Sequence, residues 1–192
     1  MRNDGAERVV VNVVRRAAAG GWLQIAPTHL TLAAGRSAVL TVRTKLTRGA
    51  EPGDHAVLVL LTTGARRDRR VPVRLRLGVR VRVHVPGRVV RRLAFSGLRV
   101  HRARDARFMF VSVANRGNVT VHLRGHVSAW LFRHRRQVAR LHLAGRAPLA
   151  PGTRTVLALR YTGRVRGPIT AVVQIRIGPG VRLFERRYRL RL

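Results

Sequence analysis

At 192 residues, 46% of them hydrophobic, the chain has room for one large domain or two small ones, and its apolar content excludes a disordered polyelectrolyte. A net charge of +33 gives salt-sensitive attraction to any polyanion, although Lys45 is the single lysine among 40 basic residues. The lack of cysteine excludes disulfides and thiolate metal sites, and no run reaches the ~18 apolar residues that would cross a membrane.

The elements read in chain order as short strands and turns. "NDGAERVVVNV" from Asn3 is an Asn-x-Gly turn leading into a valine-rich strand, and Trp22-Leu23 follows. The apolar stretch through "RVVVNVVRRAAAGGW" is too short, and too soon followed by Arg15 and Arg16, for a signal peptide. "LAAGRSAVLTVR" (Leu32 to Arg43) is a glycine turn followed by an alternating strand, and "PGDHAVLVLL" is the next apolar strand. "VPVRLRLGVRVRVHV" (71–85) alternates apolar odd positions with Arg74, Arg76, Arg80, Arg82 and His84 at even ones. That pattern predicts a strand with a core face and a wet face, bent but not shifted at Gly78.

The second half repeats this order. "NRGNVTVHL" from Asn115 parallels the first turn, Trp130-Leu131 the first Trp-Leu pair, and "LAPGTRTVLALR" (Leu149 to Arg160) the glycine turn and strand. "RGPITAVVQIRI" and "VRLFERRYRLRL" then complete the series. The expectation is an all-β chain of two tandem immunoglobulin-like β-sandwiches, residues 1–86 and 87–192, divided at the proline of "VHVPGRVV". The second half carries "LAFSGLRV" and "RFMFVSVA" ahead of Asn115, whereas only Met1 and Arg2 precede Asn3. The first sandwich is therefore expected to lack its opening strand or strands, through a fragment or a late start codon, and to present an unpaired edge. In "VRLFERRYRLRL" apolar parity moves from odd (Val181, Leu183) to even (Tyr188, Leu190, Leu192), which predicts a β-bulge near 185–187.

These motifs carry a resemblance. "WLQIAPTHLTLAAGRSAVLTVR", "GAEPGDHAVLVLLTT" and the "VPG" exit resemble the immunoglobulin-like domain of the WxL-interacting, peptidoglycan-binding family of bacterial surface proteins, over about residues 22–87. The second half is similar to the domain that follows it in such proteins. The resemblance implies an extracytoplasmic, wall-associated location; a start codon at Met1 as written implies a cytoplasmic one.

The reactive inventory excludes most enzyme classes. The acids are Asp4, Asp54, Asp68, Asp105, Glu7, Glu51 and Glu185, and Glu51 and Asp54 in "EPGD" read as turn-shaping residues. There is no serine elbow and no phosphate-cradling glycine loop. His122 and His126 lack an acid or thiol to complete a metal set, Asn118 reads as a turn residue, and no cofactor is expected. Trp22 and Trp130, at matching points of the two halves, read as core, with a stacking platform for sugars or bases as the alternative. Candidate polyanion contacts are Arg66, Arg67, Arg69 and Arg70 in one inter-strand turn and Arg133, Arg135 and Arg136 in another.

Two functions follow. The first is a non-enzymatic cell-surface module contacting an anionic wall polymer or a surface protein. The second is a cytoplasmic protein binding RNA or DNA through charge alone. Arginine written everywhere by a GC-rich genome would explain the charge equally well.

Overall fold

The structure, a computed structural model, describes residues 1–17, 22–64, 74–144, 148–178 and 182–192. The described residues form strands and no helix, as the alternating valine and leucine pattern requires. The chain divides into two compact units, Met1–Gly87 and Arg88–Leu192.

The first unit holds β1 (Val9–Ala17), β2 (Leu23–Ala26), β3 (His29–Leu32), β4 (Thr41–Thr44), β5 (Gly53–Thr63) and β6 (Arg76–Val85). Four strands make a sheet in the order β3-β1-β5-β6, and β2 and β4 make a second, two-stranded sheet. Every recorded pairing is antiparallel. Val11, Val13, Val57, Val59 and Leu61 of the larger sheet share one core with Leu23 and Ile25 of the smaller. The odd positions of β5 therefore face inward, and register places Val81, Val79 and Leu77 of β6 opposite Val57, Val59 and Leu61.

The second unit holds β7 (Leu93–Arg102), β8 (Arg107–Asn115), β9 (Val127–Arg133), β10 (Arg136–Ala144), β11 (Arg154–Tyr161), β12 (Pro168–Ile177) and β13 (Arg182–Arg191), ordered β13-β12-β9-β10-β11-β8-β7. Strand β10 joins two halves of this array: residues 136–141 pair with β9, and residues 142–144 pair with β11. Met109, Val111, Val113, Leu131, Ala171, Val173 and Ile175 form its buried centre.

A single polar residue anchors each unit. Asn115 is fully buried; its Nδ2 donates to the carbonyls of Val119 (2.8 Å) and Leu149 (3.0 Å), and its Oδ1 accepts from Gly117 N. Asn3 makes the same set, to Glu7 and Leu32 with Gly5 N as donor. The backbones match as well: Gly35 N donates to Asn3 O and Gly152 N to Asn115 O. The Asn-x-Gly motif thus forms an Asx turn whose amide also ties down the distant Leu-x-x-Gly turn.

Two expectations about strands are corrected. The register of β12 with β13 runs unbroken through Gln174↔Glu185, Val173↔Arg186 and Val172↔Arg187, so there is no bulge there. The even residues Phe184, Tyr188, Leu190 and Leu192 pack on the core, and Leu183 points outward. In β6 the odd positions are not uniformly core: Val85 is buried and Val81 and Val83 half-buried, whereas Leu77 and Val79 are exposed. Gly78 keeps the register unbroken. A Cβ there would stand 3.3 Å from the Leu58 side chain and 3.7 Å from that of Leu60, so the glycine makes room for both.

Candidate protein interface

In β9, alternation sends Ala129 and Leu131 into the core and Trp130 and Phe132 to the outer face. Pairing places Trp130 beside Val172 and Phe132 beside Thr170, and the β12–β13 ladder brings up Glu185 and Arg187. Together these side chains line an open depression of about 470 Å³. Glu185 accepts from Arg187 Nε (2.8 Å) and Gln174 Nε2 (2.7 Å). Those two hydrogen bonds, the Arg187 one first, hold its carboxyl below the ordinary range. Glu185 is thus held as a hydrogen-bond acceptor between Arg187 and Gln174.

Beside this depression lies the β9–β10 hairpin. Arg133 pairs with Arg136, and His134 (φ 46°) and Arg135 (φ 68°) occupy the two positive-φ positions of a tight primed turn. Arg133, Arg135 and Arg136 are all exposed there, and Arg135 lines the depression under which Trp130 lies. The Arg133 guanidinium donates to the Arg166 carbonyl. Arg66, Arg67, Arg69 and Arg70 lie outside the described residues.

The tryptophans correct another expectation. Both Trp22 and Trp130 are only partly buried; the core residues are their neighbours Leu23 and Leu131, at 1% and 0% exposure. One face of a strand takes one member of an adjacent pair, and here the leucine has it. Trp22 sits edge-on to His55 at 4.7 Å between ring centroids. His84 Nδ1 meets Asp54 Oδ1 at 2.7 Å across β5 and β6. His122 and His126 are exposed, and among the described residues no three His, Asp or Glu side chains gather to hold a metal ion.

The first unit presents a different surface. Leu77 and Val79 of β6 lie on the core-facing side of their sheet yet are 59% and 43% exposed. Val42 of β4, paired with the core residue Ile25, is 42% exposed. Apolar side chains on an inner sheet face are normally covered by a second layer, and among the described residues these are not.

No family model and no curated protein matches this sequence. The fold does have counterparts among solved structures. The YadV chaperone matches at a TM-score of 0.50 and 14% identity, over 98% of this chain and 89% of that one. The Pseudomonas aeruginosa CupB2 chaperone matches at 0.43 and 12%, over 100% and 90%. A chain of the Salmonella enterica SafA pilin–SafB chaperone complex matches at 0.47 and 13%, over 100% and 86%. The resemblance to the WxL-interacting, peptidoglycan-binding family is thereby overturned. Its motifs are turn and strand signals that sandwich folds share for backbone reasons, so they report geometry rather than descent. The likeness to the YadV chaperone shows the all-β sandwich type of fold and nothing beyond it.

Proposed function

We propose that the chain is a non-enzymatic protein-binding module that works outside the cytoplasm, built as two immunoglobulin-like sandwiches. The observation that carries this reading is the exposure of Leu77 and Val79 on the inner sheet face of the first unit among the described residues. An uncovered apolar sheet suits a polypeptide partner better than a hydrated polyanion, because the gain on burial comes from apolar area, at about 25 cal/mol per Å². Solved structures of similar fold are named as chaperones, one of them in complex with a pilin, which supports both a protein partner and an extracytoplasmic setting. Neither the wall-polymer reading nor the nucleic-acid reading draws support from them.

In this reading the arginines contribute to encounter rather than to holding. Arg133, Arg135 and Arg136 on one hairpin would steer an acidic partner and set the salt dependence of association. The test is retention of partners by the tagged chain as salt is raised from about 0.15 M to about 1 M, where the screening length falls from ~8 to ~3 Å. A protein companion that survives the high-salt wash, and is lost with the double variant Leu77→Asp, Val79→Asp, is the expected result. Association consisting only of nucleic acid or wall polymer, and abolished by salt, overturns the reading.

A further inference from the structure

Register builds the outer face of β13, β12, β9 and β10 row by row. Arg187, Val172, Trp130 and Arg140 are successive cross-strand partners, and so are Arg189, Thr170, Phe132 and Gln137. Partners in a ladder share a face, so the two aromatic rings stand on an inner strand with arginine on both flanks. Arg140 and Arg187 lie three strand spacings apart, roughly 14 Å. Arg135 of the hairpin turn borders the same depression, and Arg189 lines a second hollow of about 320 Å³ that shares Phe132 and Thr170 with it. All four of these arginines are exposed.

The floor of this face is apolar and its rim cationic. Val172 is buried, and Trp130 and Phe132 are half-buried, so each ring keeps surface to offer. Rings fixed on a strand give contact area at little cost in side-chain freedom. The acids of the second unit are Asp105, in the turn between β7 and β8, and Glu185, which Arg187 and Gln174 already bind. Positive charge therefore exceeds negative around the rings. Arg187 spends its Nε on Glu185, yet its side chain is 73% exposed and its two terminal nitrogens suit a second carboxylate.

Glu185 also narrows the choice among anions. Two hydrogen bonds fill two of the roughly four acceptor sites of its carboxylate. A peptide supplies N–H donors for the others, whereas a phosphodiester chain lays further negative charge beside it. We propose that this outer face of the second unit binds a short acidic segment of a partner protein. Two apolar side chains of the segment rest on Trp130 and Phe132, and its carboxylates meet the arginines of the rim. Residues two apart on β9 are about 7 Å apart, the spacing of alternate residues in an extended chain, so the segment reads apolar, acidic, apolar, with further acids on each side. The site rests on the protein-binding reading above for the class of its ligand, and not on the Leu77 and Val79 surface.

The test uses the full chain and a synthetic peptide, Glu-Glu-Phe-Glu-Leu-Glu-Glu. Trp130 is one of two tryptophans, so in a Trp22→Phe background its emission reports occupancy of the site. Expected are a saturable change in that emission and a tenfold or greater loss of affinity when the peptide's glutamates become glutamine, or its Phe and Leu become alanine. On the protein, the double variant Arg140→Gln, Arg189→Gln should weaken binding at least fivefold, and Arg154→Gln, an exposed arginine on β11, should leave it unchanged. No binding, binding that leaves Trp130 emission unaltered, equal affinity for either altered peptide, equal loss in Arg154→Gln, or tighter binding of a thymidine oligonucleotide each overturn the proposal. If a salt-resistant protein partner persists on Trp130→Ala and the peptide does not bind, this site is wrong while the protein-binding reading stands. Association with nucleic acid or wall polymer alone overturns both.

Discussion

The side-chain amide of Asn115 donates to the Leu149 carbonyl at 3.0 Å from a fully buried position, tying the turn before one strand to the turn before another. Asn3 and Leu32 repeat the contact at 3.1 Å. Neither contact is local in sequence, so each cross-links two segments that would otherwise be held by backbone pairing alone.

Replacing Asn115 with alanine removes two donated bonds and one accepted bond and leaves buried polar groups without them. The expected loss is about 2–3 kcal/mol, read from urea unfolding of the second unit. Asn3→Ala should cost less, because Asn3 lies at 9% exposure and water can replace part of its bonding.

Adjacent residues of β9 should behave oppositely to their size. Leu131→Ala opens a cavity in the buried centre and is expected to cost about 3 kcal/mol. Trp130→Ala removes the larger side chain from the outer face and should cost about 1 kcal/mol, within the range of partly exposed sites. Comparing denaturant midpoints of the two variants decides the matter, and a larger loss at Trp130 would contradict the assignment of faces.

Two glycines face steric constraints of different strength. A Cβ at Gly117 would run into the backbone carbonyl of Val90 and stand 3.0 Å from Arg92 N, in the segment that Arg116 and Asn118 bond. Gly117→Ala is expected to destabilise by about 2–3 kcal/mol. Gly78→Ala meets only the flexible ends of Leu58 and Leu60 and should stay within about 0.5 kcal/mol of wild type in thermal unfolding.

The carboxyl of Glu185 is held below its ordinary range by Arg187 and Gln174. A group whose folded pKa is depressed stabilises above its unfolded value, and that contribution disappears as pH falls through the folded one. Lowering pH from about 5 to about 2 should therefore remove a stabilising increment from the second unit that Glu185→Gln lacks. Tyr188 shifts the other way, raised by burial, so its contribution is present below about pH 10 and is lost as pH rises beyond it. Melting temperatures across both ranges, compared with Glu185→Gln and Tyr188→Phe, check the two signs.

Much of the all-β fold was legible in the chain because period-two alternation and turn chemistry are local. Asn3, Gly5, Asn115 and Gly117 marked their turns, since Asx bonding restricts which residues stand there. The family resemblance failed for the same reason: signals that encode turns recur wherever sandwiches do. The Trp-Leu pairs were misassigned because composition says that one of two adjacent apolar residues faces the core without saying which.

The sequence by itself determined strand character, turn positions and the wet side of most strands, because each depends on a few neighbouring residues. Only the tertiary structure decided which apolar residues are covered. Val42 and Leu159 look alike in their local sequence and differ in exposure because β8 pairs beside Leu159, whereas among the described residues no strand pairs beside Val42 on that side. Coverage is a property of what pairs across space, and no local pattern in a strand records its neighbour.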